Sequence, residues 1–490
     1  MNKPLRRIAI FCGLLVLALL VRENWLGYVQ ADALNTNDHN KRPTIERYSH
    51  PPGNIIVDGK PITGAAKTDS NYYKYKQTWT DGPMWAPVTG YGSQTYGSTQ
   101  LESIDDGILS GTDSRLFFDR TVSMFTGKDQ KGGDVVTTLN ADAQKAAYNG
   151  LKGKKGAAVA IDPSTGKILA LASTPSYDPS SFAGGSSSDQ KAWLAVQPTT
   201  NKDQPTLNRA LRQTYPPGST FKLVTAAAAL QNGIISDPDA KTDSPLPYIM
   251  PGTTRPLNNE GNLPCKNATP RVALAVSCNS VFGHMGVQVG KDKMLDEAKK
   301  FGFNEQQFIP VRTDASEFPT DINQSQTALS SIGQFDTRAT PLQMAMVASA
   351  IANDGKLMKP YMVDELRAPN LDVIDKTQPQ EMSQPLSAGN AQKLQSMMES
   401  VVNDPEGTGA NAKISGATVG GKTGTAQHGE NNSGLPYAWF VSYAKVGNSS
   451  PVAVAVVVED GAASSDDISG GGLAAPIAKD MMKAVINSDK

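Results

Sequence analysis

The segment "YPPGSTFKL", residues 215–223, sets a hydroxyl directly after Pro-Pro-Gly and a lysine three positions later, at the head of an apolar run. Pro216, Pro217 and Gly218 end the preceding chain and let the backbone turn sharply. Ser219 then falls at a helix start, where free N–H groups and the positive end of the helix dipole are found. Lys222, at i+3, shares its helix face. A serine hydroxyl is a poor nucleophile at neutral pH and needs a base within hydrogen-bond reach. A lysine can serve if its pKa falls from about 10.4 to about 7, which costs about 4 kcal/mol and calls for burial or a second cation.

Ser-x-x-Lys alone is weak evidence, because Ser164, Ser188, Ser219 and Ser442 each begin one. Ser164 belongs to a predicted hairpin turn, Ser188 to a Gly/Ser loop and Ser442 to a predicted strand. Only Ser219 opens a helix with a long apolar run behind it. By itself it also reads as a helix-capping serine. Two further motifs follow in order. "SCN", Ser277 to Asn279, is the one Ser-x-Asn in the chain. "KTG", Lys422 to Gly424, is the one Lys-Thr-Gly, on a predicted strand and followed by Thr425. Singly, Ser277 and Asn279 read as loop caps and Lys422 as a solvated edge charge. The ordered set resembles the penicillin-binding protein and serine β-lactamase superfamily. From "GAAVAIDPSTGKILALASTPSYDP" through "SIGQFDTRATPLQMA" to "GGKTGTAQ", about 330 residues resemble the transpeptidase domain of class B penicillin-binding proteins.

The resemblance implies a serine D,D-transpeptidase that crosslinks peptidoglycan stem peptides and is inhibited by β-lactams. Ser219 would attack the carbonyl of the penultimate D-Ala, with Lys222 accepting its proton. Ser277 would relay a proton to the leaving amine, and Lys422 would supply positive charge that also depresses the Lys222 pKa. Asn279 would bind the substrate backbone, and Thr423 and Thr425 its terminal carboxylate. Gly424 would let the strand approach the substrate without a Cβ. The N–H groups of Ser219 and Thr425 would form the oxyanion hole. No cofactor is implied. The middle residue of the second motif is Cys278, where relatives commonly carry Asp. Cys265 and Cys278 are either a disulfide, which would pin the loop carrying Ser277 and Asn279, or two separate thiols.

The elements that must position these residues are legible in outline. The chain has 490 residues, 39% hydrophobic and 19% charged, with a formal net charge of −1, so several domains are expected and nucleic-acid binding is disfavoured. Residues 1–7 read as a cytoplasmic tail carrying Lys3, Arg6 and Arg7. Residues 8–29 read as a membrane anchor with an exported body. Ala31 and Ala33 offer an A-x-A cleavage site, but lie far beyond the apolar run, and an uncleaved anchor is preferred. Residues 30–150 read as a small non-catalytic pedestal of short strands and turns. Residues 151–490 read as the transpeptidase domain. There, "GAAVAID" and "KILALAS" form a hairpin, a helical region runs from about 205 to 355, and three strands and a closing helix end the chain. The expected fold is α/β: a mixed, antiparallel-rich sheet of five strands drawn from both ends of the domain, with helices on both sides.

Rival readings share the motifs. A class A β-lactamase adds Glu-x-x-Leu-Asn after the second motif, and none follows Asn279. A DD-carboxypeptidase differs only in using water, not an amine, to resolve the acyl-enzyme. A β-lactam sensor would carry several spans and a cytoplasmic effector; a non-catalytic scaffold is compatible with the same pocket. A Ser-His-Asp hydrolase lacks a Gly-x-Ser-x-Gly around Ser219. Expected partners are stem peptides, β-lactams, the membrane, and a glycan polymerase or the division or elongation machinery.

Overall fold

The computed structural model describes residues 3–35, 37, 40–127, 130–429, 433–459 and 468–488. Its centre is a five-stranded sheet formed by β1 (Gly156–Ile161), β2 (Ile168–Thr174), β3 (Thr418–Ala426), β4 (Tyr437–Val446) and β5 (Ser449–Val458). Their order in space is β3-β4-β5-β1-β2, with every neighbouring pair antiparallel. Strands from the two ends of the segment meet where β5 pairs with β1.

The apolar runs in these strands follow from burial on both faces. Along β5, Val452, Val454, Val456 and Val458 join one hydrophobic core, while Ala453, Ala455 and Val457 join the other. Ala158 and Ala160 of β1 face the first core, and Ala157, Val159 and Ile161 the second. Two helix layers cover these faces. On one side α1 (Ala141–Leu151) and, near the end of the chain, Ala475–Ser488 pack against each other and the sheet. On the other lie α2 (Lys222–Gln231), α3 (Asn279–Val289), α4 (Pro341–Ala352) and α5 (Ala388–Asn403). All residues of α4 are buried, which makes it the central helix of that layer. Thr340 caps it by accepting from the Gln343 amide, with Pro341 in the first turn.

The region expected to be helical from 205 to 355 is interrupted. Residues 232–269 contain neither helix nor strand. Pro238, Pro245, Pro247, Pro251, Pro256 and Pro264 deny that stretch the N–H groups a regular ladder needs.

A second five-stranded sheet lies outside this unit. Its order is Val373–Lys376, Val363–Arg367, Asp134–Thr137, Ile55–Val57 and Lys60–Pro61, and Ile55–Val57 pairs in parallel with Asp134–Thr137. It therefore mixes strands from before residue 150 with strands from the middle of the chain. Residue 150 itself falls inside α1, whose packing ties it to the central sheet. The pedestal region also holds short helices, Gly82–Thr89 and Phe117–Thr126 among them, where turns and strands alone were expected. The N-terminal apolar run forms a helix from Lys3 to Asn24, continued by a π-helical turn to Val29, with none of its residues buried.

The Ser219 turn is wedged between β3, β4 and α4. Tyr215 exchanges two backbone hydrogen bonds with Ala339, just before α4. The Trp439 indole N–H donates to the Pro216 carbonyl at 3.1 Å. Phe221, fully buried, stacks on Phe318 at 5.5 Å and meets Phe303 edge-on. Phe221→Ala is expected to lower stability by about 3–5 kcal/mol, read as a drop in the thermal midpoint of the purified chain. An unchanged midpoint would show that the turn is held without this aromatic stack.

Candidate active site

Ser219 sits in a short 3₁₀ turn, Gly218–Phe221, that leads into α2. Gly218 has φ +53°, and its N–H donates to the Gly333 carbonyl at 3.0 Å. Gly333 has φ +73°, and a Cβ there would lie 2.1 Å from the Gly218 oxygen. These two glycines let the 331–335 loop press against the nucleophile's turn. Lys222, the first residue of α2, is fully buried. Its Nζ lies 3.0 Å from the Ser219 Oγ, 2.8 Å from the Ser277 carbonyl oxygen, 3.1 Å from the Ser277 Oγ and 2.7 Å from the Asn279 Oδ1.

That partner set distinguishes the two forms of the amine. The Ser277 carbonyl and the Asn279 Oδ1 can only accept. The orientation of the Asn279 amide is fixed by its Nδ2, which donates to the Asn258 carbonyl at 2.9 Å. A neutral Lys222 therefore spends its two hydrogens on those acceptors and turns its lone pair to the hydroxyls of Ser219 and Ser277. Burial and the nearby Lys422 both push the Lys222 pKa well below the ordinary lysine value, while Glu260 opposes them weakly.

Ser277 is placed by an unusual backbone. The helix Pro270–Ala275 ends at Val276, and Ser277 adopts φ +66°, a left-handed conformation that side-chain-bearing residues rarely take. The turn is closed by the Cys278 N–H donating to the Ala273 carbonyl at 2.8 Å. Cys278, the residue before α3, is joined to Cys265 in a disulfide with Cα atoms 5.6 Å apart. The bridge attaches the irregular 255–265 segment to the start of α3. Asn259 reinforces this by accepting from the Ser280 N–H and donating to its hydroxyl, each at 3.0 Å.

Lys422, on β3, is also fully buried, and donates to the Ser277 Oγ at 3.0 Å and the Thr423 carbonyl at 2.9 Å. The Ser277 hydroxyl thus bridges the two amines. Burial lowers the Lys422 pKa to about 7, against the pull of Glu260. The structure gathers Ser219, Lys222, Ser277, Asn279 and Lys422 into one hydrogen-bonded cluster. It treats the rest of the third motif unevenly. Thr425 lines a cleft of about 590 Å³ together with Ser219 and Asn279. The Thr423 hydroxyl is instead 2.7 Å from the Thr408 hydroxyl. A Cβ on Gly424 would meet Thr220, Pro217 and Trp439 at 3.0–3.1 Å. The missing side chain there lets β3 pack on the nucleophile's turn, a different use from the substrate approach expected of it.

Sequence reasoning passed over the cleft wall. Asn258, Asn259 and Glu260 come from "LNNEGN" in the irregular segment, and Glu260 is the one carboxylate among the described residues lining the cleft. The available signal was a cluster of amides between prolines. Neither His284 nor His428 is bonded to Ser219: they pack on Tyr248 and Tyr437. Among the described residues no group of three His, Cys, Asp or Glu side chains converges as a metal site.

A hydroxyl beside a buried neutral amine, with a second hydroxyl shared with another cation, is equipped for acyl transfer through a covalent serine ester. Comparison with known proteins agrees with that chemistry. The family model for the penicillin binding protein transpeptidase domain matches residues 156–483, and that for the penicillin binding protein A dimerisation domain matches residues 52–135. The chain belongs to the penicillin-binding protein transpeptidase family. It is 38% identical over 499 residues to the peptidoglycan D,D-transpeptidase PbpA of Mycolicibacterium smegmatis, covering 99% of both chains. It is 36% identical to the protein of that name from Mycobacterium tuberculosis, covering 100% of both. The solved ceftriaxone acyl-enzyme complex of M. tuberculosis penicillin-binding protein A superimposes with a TM-score of 0.84 at 36% identity, over 90% of this chain and 100% of that one.

The two amines set a pH dependence. Lys222 must be neutral to accept a proton, so acylation rises with pH through its lowered range. Lys422 is charged below about 7 and neutral above it, so the rate is expected to fall again on the alkaline side. Lys422→Arg, whose charge does not titrate, is expected to remove the alkaline limb, measured as the second-order rate of penicillin acylation from pH 5 to 10. A limb that persists in the variant would assign it to another group. Both lysines also bind fewer protons folded than unfolded between about 7 and 10.4. Stability is therefore expected to rise with pH across that window, with a smaller slope in Lys422→Met.

Proposed function

We propose that this chain is a membrane-anchored serine D,D-transpeptidase that crosslinks peptidoglycan stem peptides through an acyl-enzyme on Ser219 and is inhibited by β-lactams acylating the same oxygen. One observation carries the reading: the Ser219 Oγ lies 3.0 Å from a buried Lys222 amine whose hydrogens have acceptors elsewhere. The named activity of the two mycobacterial relatives and the acyl-enzyme structures of one of them support the same assignment.

On this course the Ser219 oxygen adds to the carbonyl carbon of the penultimate D-Ala, and its proton passes to the Lys222 lone pair. Donors at the head of the nucleophile's turn and on β3, the Ser219 and Thr425 N–H groups, stabilise the oxyanion. The C–N bond breaks as the proton travels from Lys222 through the Ser277 hydroxyl to the departing D-Ala amine. Lys422 keeps the Ser277 oxygen in a positive field and attracts the terminal carboxylate, with Thr425 as its hydroxyl partner. Thr423, engaged with Thr408, holds the strand in place. An acceptor amine then attacks the ester and loses a proton to Lys222, which passes a proton to the Ser219 oxygen as the ester C–O bond breaks. In a β-lactam the bond that breaks stays attached through the ring, so the leaving amine cannot diffuse away.

The helix Lys3–Val29 is long and apolar enough to cross a membrane. With Lys3, Arg6 and Arg7 at its start, we read residues 1–7 as cytoplasmic, 8–29 as a single-pass anchor, and the catalytic domain as extracytoplasmic. We read 30–150 as the pedestal and 151–490 as the transpeptidase domain, allowing for the strands they exchange. A glycan polymerase of the division or elongation machinery is the expected companion, since crosslinking needs new glycan strands. A DD-carboxypeptidase would use the same site with water as acceptor.

Mass spectrometry after penicillin treatment is expected to show one adduct, on Ser219. An adduct on another serine, or none, would overturn the assignment. Lys222→Ala is expected to slow acylation by about 10²–10⁴-fold in a chain that still folds, as read by circular dichroism. D-Ala release from a pentapeptide is expected to accelerate when an acceptor amine is added, with a crosslinked product; release indifferent to amine would make the enzyme a carboxypeptidase.

A further inference from the structure

The helix Phe117–Thr126 exposes its apolar side. Phe117 is 58% exposed, Phe118 79%, Val122 55%, Met124 73% and Phe125 87%. At about 100° per residue these five fall within an arc of about 160° that also contains Thr121, with Arg120 and Ser123 outside it. The Thr121 and Thr126 hydroxyls are satisfied within the helix, donating to the Phe117 and Val122 carbonyls, each at 2.8 Å. Arg120 donates to the Thr112 carbonyl. Elsewhere on the body, among the described residues, exposed large apolar side chains occur singly or in pairs along the chain.

The base of this excursion is fastened to the chain that arrives from the N-terminal span. The Gly132 N–H donates to the Pro51 carbonyl at 3.1 Å, and the Gly53 N–H to the Leu109 carbonyl at 2.8 Å. A Cβ on Gly53 or Gly132 would lie 1.6 or 1.7 Å from a neighbouring backbone oxygen, so three backbones meet here without room for side chains. The helix therefore projects from the point where the anchor's connection enters the pedestal, about 20 residues after Val29.

We propose that Phe117–Thr126 lies in the headgroup and upper acyl region of the bilayer that holds the Lys3–Val29 helix, as a second attachment of the pedestal. The proposal rests on the reading of Lys3–Val29 as a membrane anchor. A tethered amphipathic helix inserts at high effective concentration, so a short apolar face is enough. A second copy of the chain is the competing occupant, given the dimerisation model that matches residues 52–135. A ten-residue helix is about 15 Å long and 10–12 Å across. That is well short of the ~800 Å² per partner of a stable protein interface. Attachment at two points would fix the tilt of the pedestal, and with it the height of the Ser219 cleft above the membrane.

The test uses the full chain reconstituted in vesicles of phosphatidylethanolamine and phosphatidylglycerol. An environment-sensitive fluorophore is placed on Phe118→Cys in a Cys12→Ser background, and separately on the native Cys12, the one free cysteine among the described residues. Exposed Tyr72, as Tyr72→Cys, gives the water-facing control. The position-118 label is expected to be quenched several-fold more by lipid-borne nitroxide than by aqueous iodide. Adding Phe117→Ser and Phe125→Ser is expected to reverse that preference while leaving penicillin acylation unchanged. A position-118 label as open to iodide as position 72, with Cys12 still lipid-quenched, overturns the second attachment and leaves the anchor standing. A label protected from both quenchers overturns it, in favour of a dimer where unlabelled Phe118→Cys chains also form 118–118 disulfides between copies on mild oxidation. A Cys12 label open to iodide overturns the anchor reading and this proposal together.

Discussion

Two buried amines that share one partly buried hydroxyl constrain everything else in this molecule. Lys222 and Lys422 are both fully buried, and the Ser277 Oγ touches each, at 3.1 and 3.0 Å. Two ammonium groups so placed repel each other and lose their hydration, and the lowest-cost outcome is for one to give up its proton. Burial and the charge of Lys422 push Lys222 well below its ordinary value, and burial brings Lys422 to about 7. The surrounding acceptors suit that result. An amine with two hydrogens is satisfied by the Ser277 carbonyl and the Asn279 amide oxygen, and its remaining electron pair has only hydroxyls to face. In the proposed reaction, activation of Ser219 is thus a property of the ground-state packing.

Such a cluster can exist only if distant segments are held rigidly. The central sheet does this by closing strands from both ends of the domain, so that β3 carries Lys422 to the helical layer that carries Lys222. The contact between those layers is stripped of side chains at Gly218, Gly333 and Gly424, each of which faces another backbone or the nucleophile's turn within about 3 Å. The Ser277 loop is positioned from two directions: a left-handed residue closes the preceding helix, and the Cys265–Cys278 bridge ties the following helix to the cleft wall. Strain of this kind persists only where the surroundings over-determine it.

How far the sequence reveals this depends on how local the cause is. The strands were legible because burial on both faces writes itself as unbroken apolar runs, as in "VAVAVVVED". The three motifs were legible because each combines a reactive residue with a turn, helix or strand signal. The opposite wall of the cleft was not, because Asn258 acts through its backbone carbonyl and any residue there offers the same atom. The partnership of Thr423 with Thr408 depends on how β3 meets the loop after α5, which no local pattern encodes. The neighbours of Gly424 were hidden for a related reason. A glycine announces close approach without saying to what, and here the neighbour is the protein's own Thr220, Pro217 and Trp439. The pedestal reads as strands and turns because its helices are short, and one of them, Gly82–Thr89, opens on Asp81, Gly82 and Pro83, residues that also signal turns. The exchange of strands 363–376 into the pedestal sheet is long-range pairing that composition does not record.

The same cluster bears on why an amine, more than water, should resolve the proposed acyl-enzyme. By microscopic reversibility, the group that delivers a proton to the departing D-Ala amine is the group that removes one from an incoming amine, along the same Ser277 and Lys222 path. An approaching amine retraces a course the site already stabilises. Water on that path meets the same base but is the weaker nucleophile, so favouring it would take a second base aimed at the ester, and the one carboxylate among the described cleft residues, Glu260, sits exposed on the wall. Its chief electrostatic effect on the centre is to favour the charged forms of Lys222 and Lys422. A carboxylate that favours the charged form of Lys222 works, weakly, against proton abstraction by it, so the site gains nothing for hydrolysis from Glu260. Among the described residues the cleft thus offers water no base that it does not also offer the amine, and the better nucleophile is favoured.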